Sequence, residues 1–206
     1  MAGDPLFQST LSGAKTKKSL RLDDEVHFLR SWMEKPLATG AVTPSGKPLA
    51  RAMASFVDPD LDGKVIELGP GTGAVTAALV EQGIDPERLV LVEFNPSFCQ
   101  LLRARYPEAT VVQGDAYAIR RLAGSLIRRP AAAVVSSLPL FTKPMKFRLR
   151  LVNDAFNLMH PGAPFIQFTY AVVPPIPKEL EGATTECSER IWLNLPPARV
   201  WVYRQA

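Results

Sequence analysis

The chain has 206 residues, with 24 Lys and Arg against 20 Asp and Glu and 47% hydrophobic side chains. That composition excludes a chain disordered throughout, and the length fits one domain with an extension. No run approaches about 18 apolar residues, so no spanning helix is expected, and the start MAGDPLFQSTLSG lacks the basic and apolar regions of a secretory signal. Two cysteines, Cys99 and Cys187, without a CxxC, offer neither a disulfide framework nor a structural zinc site. The expectation is a reducing, cytoplasmic location and no metal.

The charge is unevenly placed. Residues 116–153 carry eight basic side chains and no acid. Such a run is either a solvated face or the footprint of an anionic partner, nucleic acid or a membrane surface.

In chain order, residues 1–18 read as loosely ordered. Residues 19–35 read as a helix, with Leu22, Val26, Leu29 and Met33 on one stripe widened by Phe28 and Trp32. Pro36 ends it, a loop over 39–46 follows, and 47–57 reads as helical. A strand–helix rhythm then begins. Strands are expected at 64–68, 89–93, 110–113, 131–136 and 164–170. Helices are expected at 73–82, 96–105, 116–128 and 146–159. Alternation of this kind implies a parallel sheet with helices on both faces. The rhythm breaks at the end. Residues 191–195 (IWLNL) and 199–204 (RVWVYR), joined by Pro196-Pro197-Ala198, read as an antiparallel hairpin.

The turn after the first strand is rich in glycine: Glu67-Leu68-Gly69-Pro70-Gly71-Thr72-Gly73. It satisfies the dinucleotide fingerprint by itself. Two features oppose a pyrophosphate there. Glu67 at the strand tip would repel it but suits a ligand carrying an ammonium group, and Pro70 removes a loop N–H. Glu93 ends the second strand, where an acid accepts from ribose hydroxyls. Asp115, in Gly114-Asp115-Ala116, ends the third, where a carboxylate suits an adenine amino group. Three acids at successive strand tips line one crevice at the carboxyl edge.

These motifs resemble those of class I S-adenosylmethionine-dependent methyltransferases. VIELGPGTG resembles their first motif, LVEFN (with Phe94 and Asn95) their second, GDA their third, and Ser136-Ser137-Leu138-Pro139-Leu140 their fourth. The resemblance covers residues 60–206. It implies a Rossmann-like α/β fold, mostly parallel with a C-terminal antiparallel hairpin. It also implies S-adenosylmethionine as cofactor and S-adenosylhomocysteine as product. A narrower resemblance, carried by PLATGAVTPSGKPLARAM, SSLPL, PFIQFTY and PPARVWVYR, is to the bacterial phosphatidylethanolamine N-methyltransferases. It implies stepwise methylation of a phospholipid head group towards phosphatidylcholine, by a peripheral enzyme on the inner face of the cell membrane. It also implies that Thr43 and Ser45 help to cover the cofactor. The fourth motif is also similar to the Asn-Leu-Pro-Tyr signature of rRNA adenine dimethylases. Here serine and Leu140 replace the amide and the stacking ring that hold a flipped base. An rRNA adenine N-methyltransferase is therefore the alternative reading, and an inert cofactor-fold binding module a third.

The acceptor side is expected to involve Ser136, Leu138 and Tyr170. Tyr170 serves equally well as a core wedge. Lys143, Lys146, Arg148 and Arg199 are candidates for a lipid phosphate or an anionic bilayer, with Phe141 and Met145 interleaved among the first three. Lys17, Lys18 and Arg21 lead the N-terminal helix and are candidates for the same surface. Arg128 and Arg129 belong at the opposite edge. Residues 1–59 form an N-terminal helical extension in this reading, and 60–206 the catalytic domain.

Overall fold

The computed structural model describes residues 46–177, 180 and 182–206. Thr43, Ser45, Lys17, Lys18, Arg21 and the expected helix 19–35 lie outside the described residues. Short apolar runs, buried on both faces, make the central strands. They are β1 (Val65–Leu68), β2 (Leu89–Glu93) and β4 (Ala133–Ser136), with β3 (Thr110–Gln113) beside β2 and β5 (Pro164–Thr169) beside β4. All five run parallel, as the alternating pattern predicts. β6 (Ala183–Cys187) and β7 (Arg199–Gln205) complete seven strands in the order 3-2-1-4-5-7-6, the last two antiparallel. Strand order reverses between β1 and β4, where open α/β sheets form their ligand crevice.

The helices are α1 (Lys47–Ala54), α2 (Ala74–Glu81), α3 (Pro96–Arg105), α4 (Ile119–Ala123) and α5 (Met145–Phe156). One sheet face, with Ile66, Leu68, Val90, Val92, Val134 and Phe165, packs into a core with Ile119, Leu151, Val152 and Ala155. Helix α1 buries Leu49, Ala50, Met53 and Ala54 and packs on α2, β5 and β7. That part of the expected extension therefore shares the core of the sheet.

Three expectations are corrected. The helix expected over 116–128 is a 3-10 turn at Ala116–Ala118 followed by the five-residue α4. It stops at Gly124, the poorest helix former after proline, which keeps right-handed dihedrals while the chain runs on in turns through the Ile127 N–H to the Ala123 carbonyl. The strand expected at 131–136 begins at Ala133, with only an isolated bridge at Ala131. The hairpin exists, but its first strand is Ala183–Cys187 and not 191–195. Residues 191–195 make a single bridge, Ile191 to Ala198. Pro196 and Pro197 cannot donate to a ladder, and ATTEC, an edge strand whose inner face offers only Ala183 and Cys187 to the core, lacks the hydrophobic signal that IWLNL shows.

Candidate active site at the carboxyl edge

Glu67, the third residue of β1, is fully buried. Its Oε2 accepts from the Thr76 hydroxyl of α2 at 2.7 Å. Its Oε1 is buried with no hydrogen-bond partner. Burial pushes its carboxyl up to about 8; the charge of Glu93 adds to this and the Thr76 bond opposes it. A buried carboxylate oxygen without a donor is costly, and a cationic donor is what it lacks. The turn beyond is shaped for close approach. Gly69, Gly71 and Gly73 all adopt positive φ, and a Cβ on Gly71 would meet no protein atom within 4 Å. Pro70 is buried, and its carbonyl accepts from the Gly73 N–H at 2.9 Å. The Thr72 carbonyl accepts from Arg105.

Glu93 ends β2 and holds this turn in place. Its Oε2 accepts from the Gly71 N–H at 3.0 Å and its Oε1 from the Asn95 N–H at 2.8 Å. Each oxygen keeps a second lone pair for a hydroxyl. Asn95 caps α3, accepting from the N–H groups of Ser97 and Phe98. Phe94 is 75% exposed beside it. Gly114 donates to the Glu93 carbonyl at 2.9 Å, and a Cβ there would meet Leu122 at 2.6 Å. Asp115 is exposed and caps the 3-10 turn that starts at the buried Ala116, through a bond from the Tyr117 N–H. Sequence register thus brings the three acids to neighbouring strand tips. Thr76, which fixes Glu67, was not legible as a site residue.

The other wall follows β4. Ser136 is buried, and its Oγ lies 3.4 Å from the Leu138 N–H that donates to it. The Ser137 N–H donates to the Leu68 carbonyl, tying this loop to β1, and the Ser137 Oγ is buried without a partner. Leu138 packs against Gly69, its Cδ2 3.0 Å from where a Cβ would stand. Gln167 of β5, which the sequence did not single out, faces the same loop. Its Nε2 donates to the Leu138 carbonyl at 3.0 Å and to the Phe168 carbonyl at 2.7 Å. Both partners are acceptors, so the amide orientation is fixed and Oε1 is left buried without a donor. Tyr170 lies just past β5, buried and edge-on to Phe168 at 5.4 Å.

The basic candidates separate. Lys143 and Lys146 are exposed, with the Lys143 ammonium 5.3 Å from the Tyr117 ring centroid. Arg148 is half-buried, and three of its five N–H groups are taken. Its guanidinium donates to the carbonyls of Phe141, Lys143 and Pro175 and lies over the Phe141 ring. Arg199 starts β7 at this edge, with Nη1 on the Cys187 sulfur at 3.8 Å and Nε buried without a partner. Arg129 pairs with Asp62, at the far edge as expected. Among the described residues no group of three metal-ligating side chains is present. No helix among them is long and apolar enough to cross a membrane.

Residues 52–139 match the family model for ribosomal RNA adenine dimethylase. The chain is similar to an ornithine lipid N-methyltransferase of Singulisphaera acidiphila, 27% identical over 145 residues, covering 69% of this chain and 76% of that protein. The chain is a class I S-adenosylmethionine-dependent methyltransferase. It is also similar to ribosomal RNA small subunit methyltransferase A of Chlorobium chlorochromatii, 33% identical over 97 residues, covering 47% of this chain. The match spans only 35% of that relative's length. The fold is shared with TrmN from Thermus thermophilus, with a TM-score of 0.58 at 17% identity over 84% of this chain and 52% of that one. It is shared too with the glycopeptide N-methyltransferase MtfA complexed with S-adenosylhomocysteine, with a TM-score of 0.51 at 14% identity over 78% of this chain and 87% of that one. The unpartnered Glu67 oxygen, the open Gly71 and the spare lone pairs of Glu93 fit such a cofactor: its ammonium, its backbone approach and its ribose.

Proposed function

We propose that this methyltransferase N-methylates the amine of an aminolipid head group, phosphatidylethanolamine first, stepwise towards phosphatidylcholine at an anionic membrane surface. The observation that carries this reading is the fourth motif. A flipped base needs an open aromatic face and an amide at its edge. Here the aromatic position is Leu140, only 2% exposed, and the amide position is a serine. A small amine needs neither. It needs acceptors for its N–H bonds, and the Leu138 carbonyl, the Ser137 hydroxyl and the Gln167 Oε1 provide them. The lipid-modifying relative also matches over far more of both chains than the rRNA-modifying one. The rRNA reading stands second because the matching family model covers residues 52–139.

Bound S-adenosylmethionine supplies a methyl group on a sulfonium, whose sulfur leaves as a thioether with the electron pair of the broken bond. The chain's own tasks are to hold, align and neutralise. Glu67, Gly69, Gly71, Glu93 and Asp115 hold the cofactor. A primary amine with a pKa near 10.4 must lose its proton first, at a cost of roughly 4 kcal/mol near neutral pH. Nearby cations lower that cost by disfavouring the ammonium form. Alignment supplies much of the remainder. In this proposal Lys143, Lys146 and Arg199 are among the cations that meet lipid phosphate. Thr43, Ser45, Lys17, Lys18 and Arg21 of the extension add cover and basic charge in this proposal.

The test is label transfer from methyl-labelled cofactor to vesicles of phosphatidylethanolamine with anionic lipid, to ornithine-lipid vesicles, and to unmodified rRNA. Label in phosphatidylethanolamine is expected. Label in ornithine lipid alone would move the substrate within the aminolipid class, and label in rRNA alone would overturn the reading.

A further inference from the structure

Nine large apolar side chains are exposed among the described residues. Seven of them follow the carboxyl ends of strands or sit on the β6–β7 connection: Phe94, Met145, Phe147, Val172, Trp192, Leu193 and Leu195. Scattered exposure would not gather at one edge. Arg199 pairs with Thr169 and Cys187 with Trp201, so the connection over 188–198 leaves the sheet beside the carboxyl end of β5, the edge that carries the cofactor crevice.

This connection is inverted relative to an ordinary surface loop. Over residues 191–198 the one polar side chain points in. Asn194 is 1% exposed, its Oδ1 accepts from the Gly46 N–H at 2.8 Å, and its Nδ2 donates to the Pro196 carbonyl at 2.7 Å. Its apolar residues point out: Trp192, Leu193 and Leu195 are 74%, 85% and 80% exposed. The Asn194 bonds and the Ile191–Ala198 bridge hold the three outward. The Arg190 guanidinium lies over the Trp192 ring at 5.4 Å, with its Nε buried and unpartnered. Glu189 is the single acid of the connection. Lys143 and Lys146 stand on the same edge of the sheet, at the start of α5. An aromatic anchor, two leucines and flanking cations match the layered chemistry of a bilayer interface.

We propose that the β6–β7 connection inserts into an anionic lipid surface, with Trp192, Leu193 and Leu195 in the interface and Arg190, Lys143 and Lys146 against lipid phosphate. This rests on the aminolipid reading above. It places the crevice over the bilayer, so that a head group enters without leaving the membrane.

The full chain is floated with vesicles of phosphatidylethanolamine and phosphatidylglycerol, and separately with phosphatidylcholine alone. The wild-type protein floats with the anionic vesicles. The triple variant W192S/L193S/L195S loses about tenfold or more in vesicle affinity, with unchanged melting temperature and cofactor affinity. Brominated lipid quenches wild-type tryptophan fluorescence, and Trp192→Phe, which keeps Trp32 and Trp201, removes most of that quenching. Equal flotation of the triple variant, or quenching that survives Trp192→Phe, would overturn the proposal. Fluorescence that responds to rRNA but not to vesicles would overturn it too. Methylation of phosphatidylethanolamine in detergent micelles separates the two readings, because micelles need no docking. Micelle activity without flotation overturns the docking alone. Flotation without methylation of any aminolipid overturns the aminolipid reading alone.

Discussion

Glu67→Gln weakens S-adenosylmethionine binding about 100-fold or more while making the cofactor-free protein more stable above neutral pH. The loss follows from the chemistry of the orphaned oxygen. Oε1 is buried without a donor and Thr76 occupies only Oε2. A buried charge-assisted pair with the cofactor's ammonium is worth about 2–5 kcal/mol when one partner is removed. The gain in stability follows from the raised carboxyl. Glu67 binds its proton more tightly in the folded chain, at about 8, than at the ordinary value of 4.5. Its contribution is therefore complete below the lower value and is lost as pH rises through the higher one, by about 1.4 kcal/mol per pH unit in between. Glutamine has no such dependence. Cofactor affinity in the wild type should rise with pH from about 5 towards 7.5, then level as the cofactor's own α-amino group titrates near 7.7–8.0. Calorimetry in two buffers of different ionisation enthalpy reads the proton released, and thermal melts across pH read the stability. Equal affinity for wild type and variant would remove Glu67 from the site.

Arg148→Met destabilises the fold by about 2–4 kcal/mol, because it strands carbonyls that the guanidinium satisfies. Those carbonyls belong to Phe141, Lys143 and Pro175, on the loops after β4 and β5. These loops form the acceptor wall, so the methylation rate falls as well. Lys146→Gln, exposed two residues away, leaves stability unchanged and lowers only the affinity for anionic vesicles. Denaturant unfolding of the two variants makes the comparison. Arg148→Met with wild-type stability would show that the three carbonyl bonds carry little.

The parallel half of the fold was legible because burial on both faces leaves continuous apolar runs such as LVLVE, whose bounds match β2 residue for residue. The acids were legible because they stand where such strands end. Cys187 and its neighbours form an edge strand defined by its partner and not by its own hydrophobicity. IWLNL looked like a strand because apolar content normally means burial, whereas here it faces outward around an inward Asn194. Arg148 looked like an anion site because charge runs are read by position along the chain, and only the fold shows that three of its five N–H groups go to backbone carbonyls. Gln167 lies inside PFIQFTY, but nothing in that stretch marks it as a site residue. Its role rests on two carbonyls brought to it from different segments, Leu138 and Phe168.

The most direct test is to produce the chain in a bacterial host whose membrane contains phosphatidylethanolamine and no phosphatidylcholine, and to analyse the extracted lipids by mass spectrometry. The wild type should yield mono-, di- or trimethylated phosphatidylethanolamine, and Glu67→Ala should yield none. An unaltered lipid profile from a folded, cofactor-binding protein, together with dimethyladenosine in its rRNA substrate, would contradict the aminolipid assignment.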